Sequence, residues 1–299
     1  MNKNDYFNEA MKNLVSKELG EGYIVTLNNV TKVNQTLPAL NIRKVNGALG
    51  TNIYLDQLYK KYEEQGARLD DCARKILEVY SDNVMEEASL TTMVLDMMAS
   101  KEKITDKVFY KIINGSKNEE LLLRAPYTAI EGSDLVMIFG ILVPGSITGN
   151  ATMTITITNL LMERLELSEE EVIKRAKENT PRLFPAIFKN MTEILSAILP
   201  PDERKADLAM WVLSNEQNLN GASVLLYDGI LDGIGERFGS FYILPSSLHE
   251  VIIVREGEIE SDFLRQLVQF VNQTTLDEKD FLSDKVFHYN YTNHRLSVA

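Results

Sequence analysis

The sequence predicts an α+β fold. A helix-rich N-terminal lobe is expected over residues 1–103, and a mixed or antiparallel sheet lobe with helices packed on it over 104–299. Two observations lead there. Apolar residues recur at i, i+3, i+4 and i+7 through much of the first hundred positions. Beyond them, short apolar or alternating runs are broken by Gly, Pro, Asn and Ser, and the short connections suit an antiparallel or mixed sheet with helices on one face.

Asp5 to Leu19 reads as a helix with Phe7, Met11, Leu14 and Val15 on one face, stopped by Gly20 and Gly22. Tyr23–Val33 and Leu37–Val45 read as strands around an Asn34-Gln35 turn, and Asn46-Gly47 marks a second turn. Leu55, Leu58, Tyr59 and Tyr62 give an amphipathic helix ending at Gly66. Leu69 to Tyr80 and Leu90 to Met98 give two more, so the lobe reads α-β-β-α-α-α.

Val108–Ile113 and Leu135–Val143 read as strands. Ala151 to Thr158 alternates strictly, with Ile155 and Ile157 on one face and threonines on the other. Ser168 and Glu171 form a capping box, opening a helix expected to end before Asn179-Thr180-Pro181. A longer helix is expected from Phe184 to Ile198, stopped by Leu199-Pro200-Pro201-Asp202. Ala209–Leu213 and Ala222–Tyr227 read as a strand pair, and Asp228 as the cap of a helix through Phe238. Ser240–Leu244 and His249–Val254 read as strands around a Pro245-Ser246-Ser247 turn. A helix over Phe263–Val271 and a hairpin of Lys285–Tyr291 with Arg295–Val298 complete the chain.

Charge narrows the function classes. The formal net charge is −12, and residues 201–299 hold 8 Lys+Arg against 16 Asp+Glu. A phosphate backbone is repelled there, so direct nucleic-acid binding is not expected. A docking face for a basic partner is the sharper use of such a surface. The first residues lack the apolar stretch of a secretory signal, and the longest apolar run, Leu135–Val143, is too short to span a bilayer. One cysteine, Cys72, allows no intrachain disulfide and fits a reducing cytoplasm.

No motif assembles convincing chemistry. The densest cluster is Pro245–Glu250, where Ser246, Ser247, His249 and Glu250 are the candidate catalytic residues of a hydrolase or transferase. If His249 begins a strand, Glu250 points to the other face and cannot orient it, and Ser247 lies at the edge of its reach. The bland alternative is a serine-rich turn bonding its own backbone. Gly229, Gly233, Gly235 and Gly239 miss the spacing of a dinucleotide loop, and Asp228 and Asp232 oppose phosphate there, so no cofactor is expected. A hairpin turning at Thr292-Asn293 places His288 and His294 on opposite faces, so no metal is expected either. Cys72 and Met93, Met97 and Met98 read as core.

Segments in this order resemble an uncharacterised domain-of-unknown-function family of Firmicutes, family 5688, found especially in gut clostridia. The resemblance is carried by Ile53-Tyr54-Leu55 with Tyr59 and Tyr62, Ser133-Asp134-Leu135, Thr156–Asn159, Asn179-Thr180-Pro181, Ser214-Asn215-Glu216 and Gly221-Ala222. Its most specific stretch is Leu244–Val251. The resemblance implies an intracellular protein, often carried on mobile elements, with no established activity and no catalytic residue to carry over. The expectation is therefore a non-enzymatic cytoplasmic interaction or regulatory protein whose partner is another protein. An acidic mimic of nucleic acid is a further alternative.

Overall fold

A computed structural model describes residues 2–47, 50–98, 100–143, 153–198 and 209–299. The fold is α+β, with three antiparallel sheets among the described residues. Two compact units divide the chain, Met1–Ala99 and Ser100–Ala299.

In the first unit, α1 (Lys3–Leu19) precedes a sheet in the order β1 (Tyr23–Lys32), β2 (Gln35–Lys44), β3 (Thr51–Tyr54). Then come α2 (Asp56–Gln65) and α3 (Leu69–Met98). The Asn2 side chain accepts the Asp5 amide at 2.8 Å and caps α1. Phe7, Met11 and Val15 of α1 pack on Leu40, Ile42, Ile53 and Ile76, all buried. The β1–β2 turn is Val33-Asn34, one residue earlier than expected, with Lys32 opposite Gln35. Asn34 sits at φ +62°, a conformation that two-residue hairpins demand and asparagine tolerates. Strand β3 was not foreseen. Where two helices were expected, α3 runs unbroken for 30 residues. Between Tyr80 and Leu90 there is no Gly or Pro to stop it.

The second unit begins with α4 (Lys101–Thr105), β4 (Val108–Asn114), α5 (Glu119–Leu122), β5 (Tyr127–Ala129), β6 (Leu135–Leu142) and β7 (Thr154–Thr156). Strand β6 pairs with β4, β5 and β7. The threonine-faced strand is shorter than its alternation suggests, because Thr158 leaves the sheet and caps α6 (Asn159–Arg164) by accepting the Leu161 amide. Ala151 and Thr152 lie outside the described residues. Helix α7 (Glu169–Leu183) opens at Ser168, whose hydroxyl accepts the Glu171 amide at 3.1 Å.

A six-stranded sheet follows, in the order β13-β12-β10-β11-β9-β8. Its parts are β8 (Ala186–Asn190), α8 (Met191–Ile198), β9 (Met210–Asn215), a 3-10 turn at Gly221–Leu226, α9 (Ile230–Phe238), β10 (Phe241–Ser247), β11 (Glu250–Arg255), α10 (Ser261–Thr274), β12 (Phe287–Asn290) and β13 (Arg295–Val298).

Several expectations fail here for physical reasons. Helix α7 does not end before Asn179-Thr180-Pro181 but runs through Pro181. The lost proline donor is offset by side-chain bonds to β4 and to the end of α4. The Asn179 amide donates to the Thr105 and Val108 carbonyls at 2.8 and 3.0 Å, and the Thr180 hydroxyl accepts the Tyr110 amide at 2.9 Å. The helix expected from Phe184 is instead β8 then α8, because Ala186–Asn190 pairs with β9. The proline stop expected at Leu199–Asp202 lies outside the described residues. Ala222–Tyr227 is no strand; most of it belongs to the 3-10 turn, which follows Asn218 and Asn220 at positive φ. Gly229 at φ +75°, not Asp228, takes the N-cap position of α9.

Strand β4 has a second feature. Lys111 stands opposite fully buried Ile138 and has no hydrogen-bond or ion-pair partner among the described residues. Burial pushes its amine down to about 8.

Two outcomes follow from β4. Thr180→Val and Ser223→Ala each orphan a buried amide, that of Tyr110 or Ile112, and should cost about 1–3 kcal/mol in urea unfolding. Near-neutral values for both would mean the edge is not held this way. Lys111 is uncharged in the folded chain at a pH where the unfolded chain still binds the proton, so stability should rise from pH 8 towards 10.5. Lys111→Met should flatten that rise and stabilise the chain at pH 7 by roughly 1–3 kcal/mol. Parallel stability–pH curves for the two proteins would refute the assignment.

Candidate functional site

The Pro245–Glu250 segment is not a loop between strands. Strand β10 continues through Ser247, with a bulge between Pro245 and Ser247, and the turn is Leu248-His249. His249 therefore lies in the turn, and strand alternation does not govern its direction. Its Nδ1 accepts the Asn220 amide at 3.2 Å. That places the ring proton on Nε2, which donates to Asp280 Oδ1 at 3.3 Å. The His249 carbonyl accepts the Ser214 hydroxyl at 2.6 Å. Around it, the Leu248 amide donates to the Asp280 carbonyl, and the Ala222 amide donates to the Leu248 carbonyl. Gly221 must be glycine, since an added Cβ would overlap the His249 carbonyl and the Ser214 hydroxyl.

The remaining candidates face elsewhere. The Ser246 hydroxyl donates to Glu250 Oε1 at 3.3 Å, and the Ser247 hydroxyl accepts the His249 amide at 3.0 Å. Neither hydroxyl is bonded to the imidazole. With an amide on Nδ1 and a carboxylate on Nε2, the ring ties the β10–β11 turn to the 3-10 turn and to the segment before β12. It has no ring nitrogen left for a nucleophile.

A second polar cluster went unforeseen in the sequence. His294 Nδ1 meets Asp232 Oδ1 at 2.6 Å, and the Tyr289 hydroxyl donates to the same oxygen. The Tyr289 bond, and then the His294 bond, hold the Asp232 carboxyl below its usual range. Burial, followed by Asp232 itself, pushes the Tyr289 hydroxyl up, so it stays protonated. His294 sits at φ +54° in the β12–β13 loop and lines a cleft of about 430 Å³. His288, in the same cleft, is bonded to Glu256 at 3.0 Å. Among the described residues no group of three or more His, Cys, Asp or Glu is placed to hold a metal ion. The cluster escaped notice because Asp232 and His294 are 62 positions apart. The one local sign is a histidine in the turn of a predicted hairpin.

Compared with known families, the chain matches the family of unknown function DUF5688 over residues 4–291. It belongs to that family. The resemblance in the sequence is thus correct over nearly the whole chain. No curated protein and no solved structure matches it.

Two other motifs of this DUF5688 member are structural. Cys72 is 3% exposed in the first core, where burial raises its thiol. In the glycine-rich stretch, Gly235 lies against the Tyr291 ring with no room for a Cβ. A 3-10 turn, not a strand, precedes that stretch.

If His249 is a structural clamp, His249→Ala should cost about 1–3 kcal/mol. Ser246→Ala and Ser247→Ala should cost about 0.5–1.5 kcal/mol each, with no labelling by a fluorophosphonate probe. Mutants that melt like wild type, together with stoichiometric labelling of either serine, would reverse the assignment.

Proposed function

We propose that this protein is a non-enzymatic, cytoplasmic interaction or regulatory protein that docks on another protein through α10. The carrying observation is a pair of exposed phenylalanines. Phe263 is 56% exposed and Phe270 63%. They stand seven residues apart, two helical turns, and share one stripe with Leu267. The neighbouring stripe, Leu264 and Val268, is buried against Leu244, Val254 and Val286 and anchors the helix. Large aromatics left in water on an anchored helix suit a helix-in-groove contact.

Charge names the partner's chemistry. From Glu256 to Lys285 the chain carries eight carboxylates and three basic residues. A complementary partner presents an apolar groove rimmed by Lys and Arg. The cytoplasmic placement rests on the single cysteine. No described helix is long and apolar enough to cross a membrane. The committed ring nitrogens of His249 support the non-enzymatic reading.

Phe263→Asp with Phe270→Asp should leave the melting temperature close to wild type, since both side chains are already in water. The pair should remove a partner that wild type captures from its native host, and wild-type capture should weaken as salt rises. Equal capture by both proteins, or capture indifferent to salt, would sink the proposal.

A further inference from the structure

The cleft beside β13 carries an inference independent of α10. Strands β12 and β13 pair with His288 opposite Ser297 and Asn290 opposite Arg295. Cross-strand partners share a face, so these four side chains stand on one side of the hairpin. The loop between β5 and β6 borders the same cleft. Gly132, at φ +76°, approaches the main chain of Leu296 so closely that any Cβ would overlap its carbonyl oxygen. Glu131 and Arg295 both line the space between them, of about 430 Å³. That volume suits a small-molecule ligand.

The charges in this cleft are unevenly satisfied. His288 is bonded to Glu256, and His294 to Asp232. Glu131 and Arg295 are exposed and have no ion-pair partner among the described residues, including each other. Both line one cleft, yet their charged heads stand farther apart than an ion pair.

His294 also lines the cleft. Asp232 takes its Nδ1, and no protein partner takes Nε2 among the described residues. Asp232 and Tyr289 are positioning residues for this ring. A simple anion would meet Glu131, and a simple cation would meet Arg295. A ligand carrying both charges satisfies both residues.

We propose that this cleft binds a small zwitterion of the amino-acid or short-peptide class, with its carboxylate on Arg295 and its ammonium on Glu131. No covalent step is involved.

The chain has three histidines, so ring resonances can be assigned with ¹⁵N-histidine labelling. Four probes separate the charges: glycine, glycylglycine, N-acetylglycine, which lacks the ammonium, and glycinamide, which lacks the carboxylate. Glycine or glycylglycine should shift the His294 resonances and leave those of His249 in place. Whichever of the two binds more tightly tells a free amino acid from a peptide. N-acetylglycine and glycinamide should bind about tenfold more weakly or worse, a loss of about 1.4 kcal/mol. Glu131→Gln and Arg295→Gln should each weaken the zwitterion by a similar factor. Both replace exposed side chains, and an unchanged amide spectrum confirms folding. The proposal is overturned if His294 does not respond to either zwitterion up to roughly 20 mM, a range that admits even millimolar affinity. Equal binding of all four probes, or full binding by both variants, would overturn it as well.

Discussion

The second unit depends on how the outer edge of β4 is satisfied. One side of the strand pairs with β6 from Val108 to Asn114. The other presents amides that a longer sheet would cover with another strand. Here hydroxyls cover them instead, Thr180 from α7 on Tyr110 and Ser223 from the 3-10 turn on Ile112. A buried amide without a partner costs about as much as a lost hydrogen bond, so these contacts fix where α7 and the turn sit. Tyr227 extends the arrangement, its hydroxyl donating to the Phe184 carbonyl at 2.7 Å. Helix α7, β8 and the 3-10 turn are thereby held to the four-stranded sheet, while β8 and β9 carry the connection into the six-stranded one.

From that frame the 3-10 turn reaches the β10–β11 turn. Ser214 and Asn220 bond the carbonyl and ring of His249, and Gly221 gives them room. The segment before β12 grips from the other side through Asp280. Three residues further on, the Ser283 hydroxyl bonds Asp134 at the start of β6, at 2.9 Å. The Leu244–Val251 stretch and the Ser133-Asp134, Ser214-Asn215 and Gly221-Ala222 motifs are thus one polar network joining two sheets. The segments that carry the family resemblance, the candidate catalytic cluster among them, are in space neighbours in a joint.

The sequence carried local structure well and long-range structure poorly. The Ser168 cap of α7, Gly66 after α2, the Phe7–Met11–Val15 stripe and the Asn290–Arg295 register are set by neighbours within a few positions, and they appear in the fold as read. The other half of the capping box does not, because the Glu171 carboxylate pairs with Lys101 at 2.8 Å. The failures in the second unit's helices and strands share one cause. Pro181 stays in a helix, Ala186–Asn190 pairs as a strand, and Ala222 lies in a tight turn because partners 21 to 71 positions away supply hydrogen bonds that local propensity cannot anticipate. At the polar sites the same limit applied. Ser246, Ser247, His249 and Glu250 were legible as a cluster, but the atoms facing His249 came from Asn220 and Asp280. Asp232 and His294 were not legible as a pair at all.

Partner count separates the three histidines physically. His249 has a main-chain donor on one ring nitrogen and a carboxylate on the other, so any ligand would have to displace a bond that holds the fold. His288 is mostly buried, bonded through Nε2 to Glu256 and packed beside the Tyr242 ring at 5.2 Å. His294 is 59% exposed, at positive φ, and spends one nitrogen on a carboxylate that Tyr289 already holds. Asp232 orients that ring without using up its second nitrogen. A ring held from one side and open on the other can meet a ligand at no cost to the core. The same reasoning moves attention from the conspicuous Pro245–Glu250 segment, whose polar groups are occupied by the fold, to the cleft beside the β12–β13 hairpin, where Arg295 and Glu131 are not.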